Sequence, residues 1–81
     1  MSSYTKEERF LIELYRKTID LKNKEKTFDS FVLGKILGMS QRLIKTTIQI
    51  LAQANFIKKL DNTKILLTEH GEKLVKSLLK S

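Results

Sequence analysis

Lys35-Ile36-Leu37-Gly38-Met39-Ser40-Gln41-Arg42-Leu43-Ile44 ends one helix and begins the next within a few residues. Ahead of it, Phe31, Val32, Lys35, Ile36 and Leu37 recur at helical spacing, behind a very short extended segment, Thr27-Phe28-Asp29-Ser30, whose Asp29 or Ser30 supplies the N-cap. Gly38 can take the left-handed conformation that closes a helix, and Ser40 is a good cap for another. Two helices joined by about three residues cannot lie parallel, so they cross sharply.

That crossing is the geometry of a helix-turn-helix, and it makes residues 41–54 the second limb. At about 100° per residue, Ile44, Thr47, Ile48 and Leu51 gather on one side as core. Arg42, Lys45, Thr46, Gln49 and Gln53 gather on the other, with two positive charges and no negative one. Such side chains can donate to phosphates and to base edges. Leu43 and Ile50 fall between the two faces.

Downstream, Asn55 can close this helix in the left-handed position. Phe56-Ile57-Lys58-Lys59-Leu60 and Lys64-Ile65-Leu66-Leu67-Thr68 read as strands around an Asp61-Asn62-Thr63 turn, giving a hairpin with a basic rim. Thr68 caps a last helix with an apolar stripe of Leu74, Val75, Leu78 and Leu79. Upstream, Thr5-Lys6-Glu7-Glu8 has the spacing of a capping box. Phe10, Leu11, Leu14, Tyr15 and Leu21, widened by Ile12 and Ile19, carry a first helix to about Leu21, and Lys22-Asn23-Lys24-Glu25-Lys26 is a polar connection. The expected fold is mainly α with a small β-hairpin, in the order helix, helix, helix, strand, strand, helix. It forms one domain over residues 1–81, with a core at about 27–79 and an N-terminal helix at about 5–22.

The 81 residues are 41% hydrophobic and 31% charged, a globular balance, though a chain this short buries only roughly 60% of its unfolded surface. With no cysteine, disulfides and thiolate metal sites are excluded. The start has no apolar signal core and no apolar run approaches the roughly 20 residues that span a bilayer, so a cytoplasmic protein is expected, nucleoid-associated when bound. Sixteen basic against nine acidic residues leave a net +7. Between Asp29 and Asp61 there is no acid, yet Lys35, Arg42, Lys45, Lys58 and Lys59 lie there. A one-signed segment is a footprint for a polyanion, although a solvated lysine-rich surface gives the same pattern.

From Thr27 to Leu79 the chain resembles the winged-helix core of small prokaryotic transcriptional regulators of the MarR, PadR and ArsR kind. The likeness rests on Lys35-Ile36-Leu37-Gly38-Met39-Ser40, on Ile48 through Ile57, and above all on Leu67-Thr68-Glu69-His70-Gly71, which is similar to the junction between wing and last helix in those proteins. Asn55 stands where they usually carry glycine, and Gly34 where they usually carry alanine. The resemblance implies a third helix in the major groove and a hairpin on adjacent phosphates. Arg42, Lys45, Thr46 and Gln49 are then the expected base-reading residues, with Gln41 beside them as a further DNA-binding residue. Lys58, Lys59 and Lys64 are the expected phosphate contacts, with Lys35 and the Ser40 cap as lesser ones.

In related regulators the outer helices commonly build a two-fold interface. Phe10, Leu14 and Tyr15 with Leu74, Val75, Leu78 and Leu79 are the expected homodimer surface here, against the alternative that the two helices pack on each other within one chain. A symmetric dimer would present two recognition helices about 34–36 Å apart. His70, alone and without cysteine, cannot make an ordinary zinc site, and no phosphate loop or nucleophile grouping stands out, so neither enzyme, metal nor cofactor is expected. No small-molecule effector is expected in so small a core. Two other functions remain open: a winged-helix protein-interaction module, favoured if Leu43 and Ile50 are exposed together, and a weakly specific architectural DNA-binding protein.

Overall fold

The structure, a computed structural model, describes residues 3–20, 26–61 and 63–80. The chain is mainly helical with a small three-stranded antiparallel sheet: α1 (Lys6–Thr18), β1 (Phe28–Asp29), α2 (Ser30–Ile36), α3 (Gln41–Gln53), β2 (Ile57–Lys59), β3 (Lys64–Leu67) and α4 (Glu69–Lys80). α1 ends with its cap at Ile19. The expected extension to Leu21, the connection over 22–25 and Asn62 of the turn lie outside the described residues.

Each helix starts where its cap chemistry dictates. Thr5 Oγ1 accepts from Glu8 N–H at 3.1 Å while the Glu8 carboxylate accepts from Thr5 N–H at 2.8 Å, the reciprocal box that satisfies two otherwise orphan donors. Asp29 caps α2 by accepting from the N–H groups of Phe31 and Val32. Ser40 caps α3 by accepting from Leu43 N–H. Ends are set just as locally. With Gly38 at φ 75°, its N–H donates to Lys35 and that of Met39 to Gly34, so orphan carbonyls of α2 are satisfied in a Schellman turn. α3 closes in the same way through Asn55 at φ 64°, whose N–H donates to Ala52 while Phe56 N–H donates to Leu51.

The sheet corrects the expected hairpin in one respect: it has three strands. Phe28–Asp29 pairs antiparallel with β3, so the order is β1-β3-β2 and β3 is central. Paired residues project to one side of a sheet, and the register therefore sorts the hairpin into two faces. Ile57 and Lys59 share the inner face with their partners Leu67 and Ile65; Lys58 and Leu66 share the outer one.

Phe10, Leu11 and Leu14 of α1, Ile44, Ile48 and Leu51 of α3, Ile57 and Ile65 of the sheet and Val75 of α4 form one buried core. α1 is its centre, packing against α2, α3, α4 and β3. Gly34 brings α2 close to α3, since a Cβ there would overlap Cγ1 and Cδ1 of Ile44. At the hairpin base Gly71 plays the same part. A Cβ on it would overlap the carbonyl oxygen of Phe56, so α4 starts directly on the backbone that enters β2. Among the described residues, no helix is long and apolar enough to cross a membrane.

Candidate nucleic-acid interface

α3 buries Ile44, Thr47, Ile48 and Leu51 and leaves Gln41, Arg42, Lys45, Thr46, Gln49 and Gln53 exposed, as 3.6-residue stepping requires of a helix with one apolar stripe. What the sequence leaves open is how this face stands relative to the hairpin. Gln41, Lys45 and Gln49 line one open cleft together with Lys59, Asp61 and Thr63. Its floor is Ile48 and Ile65, and its far wall is Ser30 and Phe31 at the start of α2. Helix and hairpin therefore present one continuous surface, with lysines on both sides of the cleft.

The individual residues differ in what they can offer. Arg42 lies within the exposed arc, and with Gln41, Lys45 and Thr46 it lines a more open hollow beside the cleft. The Thr46 hydroxyl donates to the Arg42 carbonyl at 3.1 Å, which occupies its one proton and leaves it only as an acceptor. Ser40 Oγ accepts from the helix and keeps its proton for an outside acceptor. Lys35 is exposed on α2, one turn beyond the cleft-lining Phe31.

The three hairpin lysines do not share one face. Lys59 lies at the outer end of the inner face, where core gives way to cleft. Lys58 projects from the opposite face, and so does Lys64, which stands across from Asp29 of β1. The strand register thus divides the basic rim between the two faces of the hairpin, because successive residues alternate faces.

No family model, no curated protein and no solved structure matches the chain. The site therefore stands on its own geometry.

Asp61, a turn residue by its place in the sequence, also lines the cleft. Its carboxylate accepts from the N–H groups of Thr63 and Lys64, at 3.3 and 2.9 Å, which ties the hairpin tip and sets a negative charge on the cleft wall. The stretch without acids ends one residue before it, and the turn folds it back beside Lys59. Ser30, a cap candidate by sequence, lies at the first position of α2 with Asp29 as the cap, and it too lines the cleft. Its N–H donates to Thr63, holding α2 to the hairpin, while its buried hydroxyl has no partner among the described residues.

The expected dimer surface is mostly interior. Phe10, Leu14 and Val75 are fully buried, and Tyr15, Leu74 and Leu78 are half-buried against the same core. α1 and α4 pack on each other within one chain, and Tyr4 Oη donates to the Leu78 carbonyl at 3.4 Å. Of the seven residues only Leu79 is well exposed. The two apolar stripes are each other's partners, which a sequence cannot distinguish from a pair that waits for a second copy. His70 stacks on Phe56 with ring centroids 4.8 Å apart, at the base of the hairpin and away from the cleft residues in sequence. Among the described residues there is no group of three His, Cys, Asp or Glu side chains placed to hold a metal ion.

Proposed function

We propose that the chain is a winged helix-turn-helix protein that binds double-stranded DNA sequence-specifically and regulates transcription. α3 enters the major groove and the β2–β3 hairpin, the wing, follows the backbone beside it. The observation that carries this reading is the shared cleft: Lys45 and Gln49 of α3 and Lys59 of the wing open onto the same side of the molecule. A helix presenting Arg42 and Gln49 has the donors that pair bidentately with guanine and adenine edges. Lysines flanking it neutralise phosphates and release counterions, the sequence-independent part of the affinity. Asp61 favours one register, because its carboxylate repels any phosphate placed against the wing tip while Lys59 attracts one. The two-fold pairing through α1 and α4 has no part in this reading.

Selection of bound duplexes from a random pool, followed by anisotropy titration of the enriched duplex at rising salt, tests it. A short enriched motif and a steep loss of affinity with salt are expected. Salt-sensitive binding with no enriched motif would instead identify an architectural DNA-binding protein. No duplex binding even at low salt would end the DNA reading and leave a protein-interaction module.

A further inference from the structure

A second surface lies on the other side of α3. Leu43 sits about 160° around the helix from Lys45, away from the wing, and lines a hollow with Leu37, Gly38 and Met39 of the turn and with Lys6 and Arg9 of α1. A neighbouring hollow shares Arg9 and Leu37 and continues past Ile12 and Arg16 to Leu79 at the end of α4. Together they make a groove along α1. Its floor is apolar, and Leu79 is 45% exposed at one end. Ile50, also 45% exposed, follows Leu43 by seven residues on the same side of α3.

The rim is cationic. Lys6, Arg9 and Arg16 form no salt bridge among the described residues, whereas three acids of the outer helices are engaged at i, i+4: Glu13 with Lys17, Glu69 with Lys73 and Glu72 with Lys76. Glu13, the one acid among the described residues that line the groove, is held by a lysine of its own helix. The hollows, about 130 and 250 Å³, are smaller than the roughly 300–1,000 Å³ of sites that enclose a compact ligand, and they suit single side chains projecting from a longer segment.

We infer that this groove docks an acidic amphipathic helix of a partner protein, with apolar side chains in the two hollows and carboxylates against Lys6, Arg9 and Arg16. Charge selects this occupant. A phosphate backbone would gain from the rim but would lie on an apolar floor that offers it nothing. A second copy docking by a two-fold would bring the same cationic rim against itself, which like-charge repulsion opposes. Because the groove and the cleft lie on different sides of α3, the partner and a duplex can be held at once.

The test uses the full chain and a fluorescein-labelled designed peptide about 14 residues long, with leucines at i, i+3, i+4 and i+7 and glutamates on the flanks. Its controls are a scrambled peptide of the same composition and the same helix with lysine for glutamate. Saturable binding of the glutamate peptide alone is expected, weakened at least about tenfold by the double variant Arg9→Glu, Arg16→Glu and by Leu79→Glu, and unchanged by Lys45→Glu. Arg9, Arg16 and Leu79 are exposed, and an unaltered circular dichroism melt checks that the variants fold. Equal binding of the scrambled peptide would overturn the inference, since net charge alone then suffices. So would loss of duplex binding in the Arg9, Arg16 variant, which would make the groove a DNA surface, or concentration-dependent self-association in sedimentation that Leu79→Glu abolishes, which would make it a contact between copies.

Discussion

A Cβ on Gly71 would overlap the carbonyl oxygen of Phe56, so the first turn of α4 rests on the backbone at the root of the hairpin. The Thr68 hydroxyl reinforces the joint by donating to the Asn55 carbonyl while accepting from Gly71 N–H. A backbone oxygen cannot rotate aside as a side chain can. Gly71→Ala is therefore expected to cost about 3 kcal/mol, at the upper end of overpacking penalties, measured by urea denaturation. A loss below about 0.5 kcal/mol, the size of an ordinary surface substitution, would show that the joint is looser than this.

Gly34 and Ile44 offer a contrasting case, because here the obstacle is a side chain. Alanine at Gly34 gains up to about 1 kcal/mol of helix propensity but must displace the Ile44 side chain inside a filled core, at about 1–3 kcal/mol. Gly34→Ala alone is expected to destabilise. In an Ile44→Ala background the obstruction is gone, and the same substitution is expected to be neutral or stabilising. A double-mutant cycle showing no coupling between the two positions would contradict the close approach of α2 and α3.

Thr47 lies fully buried in α3 with its hydroxyl unpartnered among the described residues. Valine has nearly the same shape and no polar group to desolvate, so Thr47→Val is expected to stabilise by about 1 kcal/mol. For a domain of this size that raises Tm by about 4–8 °C in a thermal melt. A fall in Tm would mean that the hydroxyl is hydrogen-bonded in solution.

Local chemistry made most of the elements legible before the structure. The Thr5 box, the Gly38 and Asn55 closures and the Ser40 and Thr68 caps depend on residues within one turn of each other, and each lies where the spacing puts it. The buried and exposed faces of α3 were legible for the same reason, since helical period alone fixes them. β1 was visible only as a possible extended segment, because two residues carry no alternation and its pairing with β3 is a long-range choice. The destination of the α1 and α4 stripes was illegible in the same way, as periodicity says that a face is buried and not by what. In the candidate site the helix residues were readable individually. The divergence of Lys58 from Lys59 and the return of Asp61 onto the cleft came only with strand register and turn geometry.

The split between Lys58 and Lys59 separates the wing lysines in a binding experiment. Lys59 opens onto the cleft opposite Lys45, whereas Lys58 projects from the outer face beside Leu66. If the duplex lies along the cleft side, Lys59→Ala should weaken every duplex by a similar factor and reduce the slope of log affinity against log salt by about 1, the signature of one lost phosphate contact. Lys58→Ala should change the slope much less. Arg42→Ala differs in kind: an arginine on a base edge contributes about 1–3 kcal/mol of discrimination, so the enriched motif should blur at one position while random duplex is bound nearly as before. The measurement is anisotropy titration of the enriched and a random duplex at three or more salt concentrations for each variant. Equal effects of Lys58→Ala and Lys59→Ala would mean that the duplex meets both faces of the ribbon, and that the cleft does not set the direction of approach.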